Sequence, residues 1–461
     1  MTLLPEISIL AFSVIFLFLS LGKRQMSLFT AARVLALAGF VLTLLAAGAR
    51  GELFSGAYRV DFFSQAFKVL LAAGFALVVF MFDKETEVEN LPEYFMFLGF
   101  STLGLMLLVS SVELISIVVS LEVSSFSLYA IVPLRRGQSK IQLEASVKYL
   151  FFGAISTGIM LYGMGYLYGV MHSTFLSEIM AHWPLLLSKP MGILAVILTM
   201  TAFFFKLSLF PLHFWAPDIY EGASDATTTF IATVPKIAAT ALLIRLATLA
   251  TQAPQQLALV IVVLAAVSMT LGNLVGLVQK DLKRLLAYSG IAHAGYLMMG
   301  LLAFTDAGNA TAIYYIAVYL FMNLAAFYVI MLLSQKGENL SINGLSGLAR
   351  RSPLLALTLA VAAFSLAGIP PTGGFTGKFF LFVTAFKSGY LTIVIIAAVN
   401  TVISIFYYLN LVRISYSREA EAQQPLTLAF HEKVLCYLFN ALIIFFGLAP
   451  YGLLDLFRRG M

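Results

Sequence analysis

Two lysines stand alone inside long apolar runs. Lys206 lies in LAVILTMTAFFFKLSLFPLHFWAPD and Lys236 in TTTFIATVPKIAATALLIRL, each with almost no other charge beside it. A lysine at the centre of a bilayer costs roughly 2.5 to 3.5 kcal/mol on insertion scales, so such residues are rare and face a polar path inside the protein. Two on successive helices point to a route for protons or ions. The first run is also interrupted. Pro211 has no N–H to offer the carbonyl of Leu207, which frees a polar group beside Lys206, with His213, Trp215 and Pro217 following. Such backbone is tolerated in lipid only where protein or a hydrated cavity surrounds it, and broken helices of this kind build transporter sites.

Other ionisable residues fall inside apolar segments. In SVELISIVVSLEVSSFSLYAIV, Glu122 falls mid-helix and is expected to be buried, while Glu113 near the start reads as interfacial. A hydrogen bond to Ser120 or Ser124 would explain Glu122 structurally; pairing with a buried lysine, Lys206 beside its break, would explain it functionally. Lys148 stands one turn after Glu144, so an i,i+4 pair accounts for it as readily as a pathway role does. Lys236 has no acidic neighbour in its own helix, and snorkelling is its alternative. His293 lies well inside KDLKRLLAYSGIAHAGYLMMG and could relay a proton, its ordinary pKa being about 6.5; it reads equally as a hydrogen-bonded core histidine, and so does His213. Lys280, Asp281, Lys283 and Arg284 read as a topology anchor at a helix start. A second interruption, Pro370, Pro371, Gly373, Gly374 and Gly377, precedes Lys378. Lysines repel sodium and can only hand over a proton, so this set favours a proton wire over a sodium site.

The elements that hold these residues are membrane helices. Of 461 residues 61% are hydrophobic and 11% charged, and mean hydropathy is +0.96, which excludes a water-soluble globular chain. The net charge of +6 lies in short loops, where it reads as an orientation signal and not as a nucleic-acid surface. One cysteine, Cys436, excludes an internal disulfide and any CxxC centre. Runs long enough to span fall near 3–21, 30–48, 62–82, 93–110, 112–133, 143–170, 191–212, 225–248, 256–278, 284–303, 311–334, 354–386, 389–412 and 432–456. They predict an all-α membrane protein of about fourteen transmembrane helices. The first run has no basic leader or A-x-A site and reads as a retained helix.

Broken helices at positions seven and twelve are five helices apart, and repeats of an odd number of helices must be inverted. The expected organisation is three N-terminal helices in 1–90, a first five-helix repeat in 91–250, a second, inverted one in 251–415, and a loop with the last helix in 416–461. Aligned on the breaks, Pro371 matches Pro211 and Lys378 falls opposite Asp218.

At this point the residues resemble a known family, the antiporter-like membrane subunits of respiratory complex I and of the multi-subunit sodium/proton antiporters. The matching pieces are LEVSSFSLYA with Glu122, EASVKYLFFGA with Lys148, FKLSLFPLHFWAPDIYEGA with Lys206, TVPKIAA with Lys236, KDLKRLLAYSGIAHAGY with His293 and PPTGGFTGKFF with Lys378. Within the family the sequence is most similar to the N-type subunits of the proton-pumping NADH:quinone oxidoreductase. Lysine at 378, a short chain and no long lateral helix favour N over the M and L types.

The resemblance implies that Glu122 and Lys206 form an ion pair, that Lys236 is the central relay and that Lys378 is the outward terminal residue. It implies no cofactor in this chain: NAD, FMN, iron–sulfur clusters and quinone belong to partner subunits. The implied partners are an M-type subunit and small K, J and A types, in the bacterial inner membrane. A sodium/proton antiporter subunit is the alternative function, and a scaffold whose charges only hold helices together is a third. At Lys378, the start of the second half-helix would favour an anion, so glutamate, which M-type subunits carry there, should be tolerated better at 378 than at 206.

Basic residues number fifteen in loops after odd-numbered helices and seven in the others, placing both termini on the non-cytoplasmic side. With Cys436 replaced, cysteines introduced at Arg136 and Gly460 are expected to react with an impermeant thiol reagent from opposite sides of the membrane. Labelling from one side would overturn this topology.

Overall fold

The apolar runs fold as helices joined by short connections. The computed structural model describes residues 1–22, 27–83, 88–137, 139–249, 255–334, 338–417 and 425–459. Lys23, Arg24, Lys84, Lys336, Arg418, Gly460 and the middle of the acidic loop 83–90 lie outside the described residues. The first helices are α1 (Leu4–Leu21), α2 (Leu28–Leu45), α3 (Phe62–Met81), α4 (Leu91–Ser110), α5 (Leu114–Ile131) and α6 (Ser139–Met171). Between α2 and α3 a small antiparallel hairpin pairs β1 (Gly51–Leu53) with β2 (Tyr58–Val60). Two short helices, α7 (Leu176–Ala181) and α8 (Trp183–Leu187), lead to α9 (Pro190–Leu207) and α10 (Trp215–Gly222). The middle of the chain forms α11 (Asp225–Leu249), α12 (Gln255–Gly276), α13 (Leu282–Leu301) and α14 (Asp306–Leu333). The remainder forms α15 (Leu348–Arg351), α16 (Pro353–Ala367), α17 (Gly373–Lys387), α18 (Leu391–Ser415), α19 (Phe430–Leu448) and α20 (Pro450–Arg459).

Among the described residues, 12 helices are long and apolar enough to cross a membrane: α1 to α6, α9, α11, α12, α14, α18 and α19. The all-α membrane class is therefore what the structure has. The expected fourteen adds α13 and the broken pair α16–α17, and that count remains a proposal. Burial sorts the helices: the spans of α11 and α14 are 94% and 89% buried, whereas those of α1, α2, α6 and α18 are 33% buried. Lys236 is on α11, so the most enclosed helix of the fold carries a lone charge.

Both interruptions have one backbone design. Helix α9 ends at Leu207 with Ser208 in the left-handed region, and α16 ends at Ala367 with Gly368 there. The N–H of Leu209 donates to Phe204 O at 2.9 Å, and that of Ile369 to Phe364 O at 2.9 Å. A cis peptide precedes Pro211 and another precedes Pro371. The helix thus ends three residues before Pro211, at the left-handed residue, and not at the proline as the sequence suggests. The shared design supports the repeat alignment on these breaks, which stays a proposal.

Where α17 begins, it presses on the end of α16. The Gly374 N–H donates to Ser365 Oγ at 3.0 Å, and a Cβ on Gly374 would lie 1.8 Å from the Ser365 carbonyl oxygen. Gly374→Ala is therefore expected to destabilise the protein by about 1–3 kcal/mol, because backbone has to move. Gly169→Ala, with open space around it, should change stability by no more than about 0.5 kcal/mol. Thermal unfolding of the two purified variants makes the comparison, and equal midpoints would count against the tight crossing.

Candidate functional site

The lysines inside the fold differ in what their ammonium groups meet. Lys206, one residue before the end of α9, is 3% exposed, and its Nζ has no hydrogen-bond partner among the described residues. It lies 5.9 Å from the centroid of the Tyr149 ring. Tyr149 stacks on Trp215, and the Trp215 indole N–H donates at 3.0 Å to the Phe205 carbonyl, which also accepts the Ser208 N–H at 2.9 Å.

Glu122 does not close on Lys206. Its Oε1 accepts from the Thr157 hydroxyl of α6 at 2.7 Å, and the two residues are not within ion-pair distance. This corrects the expected Glu122–Lys206 ion pair: in this state the carboxylate is held by α6 and the amine is open. Glu122 is also half-buried, because it shares a stripe of α5 with exposed Ile115, Val119 and Phe126. Glu113 is the more buried of the two, at 7% exposure, and caps α5 by accepting from the Ser116 N–H at 2.7 Å.

At the centre, Lys236 donates to the Tyr319 hydroxyl of α14 at 3.3 Å. Leu207, Lys236, Gly290, His293, Tyr315 and Tyr319 line a cavity with room for about one water-sized molecule. The neighbour of Lys206 in the chain is thus on the wall of the Lys236 cavity. His293, 2% exposed, bonds to the Tyr315 hydroxyl at 2.6 Å through Nδ1 and to the Tyr408 hydroxyl at 3.2 Å through Nε2. It is in electrostatic contact with both Lys378 and Lys236. Lys378, 3% exposed, lies 4.6 Å from the Tyr296 ring centroid, and Tyr296 and His293 are 5.9 Å apart by their rings.

The Lys378 ammonium donates to the carbonyls of Leu366 and Ala367 at 2.9 and 3.1 Å. These are the free carbonyls at the end of α16, the negative end of a helix. The expectation that Lys378 faces the positive start of α17 is therefore corrected. The side chain is long enough to reach back across the break, and its surroundings favour a cation.

Lys148 and His213 lie off this row. Lys148 bridges Glu144 at 2.6 Å and Asp218 of α10 at 2.5 Å, and Asp218 and Glu221 both accept from Arg284 of α13 at 2.9 and 2.7 Å. Lys283 is fully buried against Asp225 at 3.0 Å and the Ala223 carbonyl at 2.9 Å. The topology-anchor reading of Lys283 and Arg284 is thus replaced by a charge cluster joining α6, α10, α11 and α13. His213 is buried between Phe210 and Phe214, with Nδ1 lacking a hydrogen-bond partner.

Sequence reasoning missed Thr157, Tyr315, Tyr319, Tyr408 and Asp218 as partners. The tyrosines carried a signal: Tyr315 and Tyr319 stand at i,i+4 on an otherwise apolar helix, so their hydroxyls share a face. Thr157 carried none.

The fold and this row of buried amines define a polytopic subunit of the antiporter-like class. A family profile described as NADH:quinone oxidoreductase/Mrp antiporter, transmembrane, matches residues 111–404. NADH-quinone oxidoreductase subunit N 2 of Opitutus terrae is 43% identical over 461 residues, covering 98% of this chain and 96% of that protein. A chain of respiratory complex I from Thermus thermophilus superposes with a TM-score of 0.84 at 32% identity, covering 99% of each. A chain of the Mrp complex from Dietzia sp. does so with a TM-score of 0.87 at 18% identity, covering 100% of this chain and 96% of that one, a likeness of fold alone. The chain belongs to the NADH:quinone oxidoreductase/Mrp antiporter family, within its group of NADH-quinone oxidoreductase N subunits.

The cluster makes a graded expectation. Asp218→Asn removes the carboxylate shared by Lys148 and Arg284 and should cost about 1–3 kcal/mol. Glu144→Gln, whose side chain is 65% exposed, should cost at most about 1 kcal/mol. Denaturation of the two variants side by side tests the order, and a larger loss for Glu144→Gln would reverse the assignment of the central acid.

Proposed function

We propose that this chain, as a membrane subunit of a proton-translocating NADH-quinone oxidoreductase, carries protons along the row Glu122, Lys206, Lys236, His293 and Lys378. The observation that carries the reading is the burial of three lysines and one histidine in the centre of the fold, with tyrosine hydroxyls bonded to Lys236 and His293. Lysine and histidine hold and release protons, and tyrosine hydroxyls both donate and accept.

Glu122 and Lys206 act as the entry gate. Two unit charges about 4 Å apart at an effective dielectric near 20 attract by about 4 kcal/mol. Swinging Glu122 from Thr157 to Lys206 stabilises the ammonium by that order, and swinging it back favours handing the proton toward the Lys236 cavity. Lys148, His213 and the Asp218 cluster hold the second half-helix in place beside this gate.

Glu122 stands half-exposed among apolar side chains, which is costly against lipid, so this face is covered in the assembled complex. The chain is one part of a multi-subunit membrane assembly. We assign the covering neighbours to an M-type subunit and the small K, J and A types, and the NAD, FMN, iron–sulfur and quinone chemistry to other subunits. The membrane is the bacterial plasma membrane, with both termini on its non-cytoplasmic side. Fourteen spans in two inverted five-helix repeats, 91–250 and 251–415, complete the topology.

In reconstituted complex, Lys206→Ala and Glu122→Gln are expected to cut proton pumping strongly with assembly retained. Lys378→Glu should lose at least as much as Lys206→Glu, since a carboxylate at 378 would face two carbonyl oxygens. Normal translocation by Lys206→Ala would refute the row, and full activity of Lys378→Glu would refute the role of the carbonyl cradle.

A further inference from the structure

Outside the row, and apart from Lys283 and Asp225, a further ion pair among the described residues is buried within the spans. Glu6 of α1 and Lys68 of α3 are 4% and 0% exposed, and the ammonium lies 2.7 Å from Glu6 Oε1. The Tyr58 hydroxyl of β2 donates to the same oxygen at 2.6 Å. The other carboxylate oxygen, Oε2, is buried without a hydrogen-bond partner among the described residues. One oxygen thus has two donors and its twin none. A buried pair repays its desolvation only when its remaining lone pairs and protons are satisfied, and apolar residues of similar size would join α1 to α3 as well or better.

The trio stands between a cleft and the central helix. Gly56, Arg59, Asp61, Val112 and Arg245 are on the wall of a cleft of about 600 Å³ beside the hairpin, and Tyr58 lies between two of them in the chain. Val112 donates to the carbonyl of Ala57 at 3.0 Å, which fixes the hairpin against α4 and α5. Asp61 and Arg245 are paired at 2.9 Å, and both are in electrostatic contact with Lys68. Burial first, and then the Glu6 carboxylate, hold the Tyr58 hydroxyl protonated above the ordinary phenol range. On its other side α3 packs along α11, with Gly74 against Val234, two residues from Lys236.

We propose that Glu6, Lys68 and Tyr58 form a second proton-exchange site, opening to the cleft beside the hairpin and separate from the end of the row at Lys378. One proton passes from the Lys68 ammonium to the Glu6 carboxylate, leaving a neutral amine and a neutral acid. The acid then loses that proton to solvent in the cleft as the Tyr58 hydroxyl turns aside, and the amine takes up another from the side of α11. Two charges become none in the transfer between Lys68 and Glu6, so that transfer buries no unpaired ion, and the carboxylate left by proton loss to the cleft is paired again once the amine takes up its proton.

This rests on the reading of the chain as a proton carrier, and the test keeps the two apart. Protons moved per electron are measured in reconstituted complex for Glu6→Leu/Lys68→Met, for Tyr58→Phe and for Lys236→Ala. The double variant, whose charges are removed together, is expected to assemble and reduce quinone at the parental rate with fewer protons per electron. A parental ratio would make the pair architectural and overturn the proposal. If the double variant fails to assemble, Tyr58→Phe decides: a lower ratio supports the site and a parental one rejects it. Parental pumping by Lys236→Ala would instead remove the proton-carrier reading itself.

Discussion

A protonated amine inside a membrane protein needs acceptors, and an unbroken helix offers few, because every interior carbonyl already accepts an N–H and keeps only its second lone pair. The two helix breaks are where this chain releases carbonyls, and it spends them differently. At the second break, Lys378 receives the carbonyls of Leu366 and Ala367. At the first, the Trp215 indole and the Ser208 N–H share the carbonyl of Phe205, and the Lys206 ammonium faces the Tyr149 ring with no hydrogen-bond partner among the described residues. Two breaks of one backbone design therefore hold one settled amine and one unsettled amine. In the proposed row the unsettled amine is the one that would respond to Glu122, and the settled one is held by carbonyl oxygens.

Between the two, the side chains of the proposed row are mostly hydroxyls. Tyr319 on Lys236, and Tyr315 and Tyr408 on His293, occupy α14 and α18. A hydroxyl can accept from one neighbour and donate to the next, which a methylene cannot, and it carries no charge that must be desolvated. The cavity at Lys236 is at the lower limit for a single water. Transfer at the centre of the proposed row would thus pass through at most one water and depends on side-chain reach.

The charge cluster at the ends of α6, α10 and α13 serves the row by anchoring the first half-break. α10 has only eight residues, too few to be stable alone. Asp218 and Glu221 tie it to Lys148 and Arg284, while Lys283 crosses to Asp225 and the Ala223 carbonyl just beyond it. Each acid has a cation, so the cluster is close to neutral and differs in kind from the lone amines of Lys206, Lys236 and Lys378. The same contrast marks Glu6 and Lys68, which are paired yet leave a carboxylate oxygen unused.

What the sequence determined by itself was the class and the residues. Apolar runs about 20 residues long have no option but helix in lipid, and a lysine such as Lys236 within one is too costly to be incidental. Both breaks, and their match of Pro211 with Pro371, were legible because proline and glycine act on the backbone locally. Only the tertiary structure decided which partner each charge has. Glu122 is bonded to Thr157 and not to Lys206, Lys148 is shared with Asp218, and Lys378 reaches backward across its break. Partners of this kind come from residues up to 70 positions away, and from rotamers that bend a long side chain over a neighbouring turn. Periodicity fixes the face of a helix on which a residue lies, but the helix opposite that face is set by packing, and with it the acceptor that a buried proton will find.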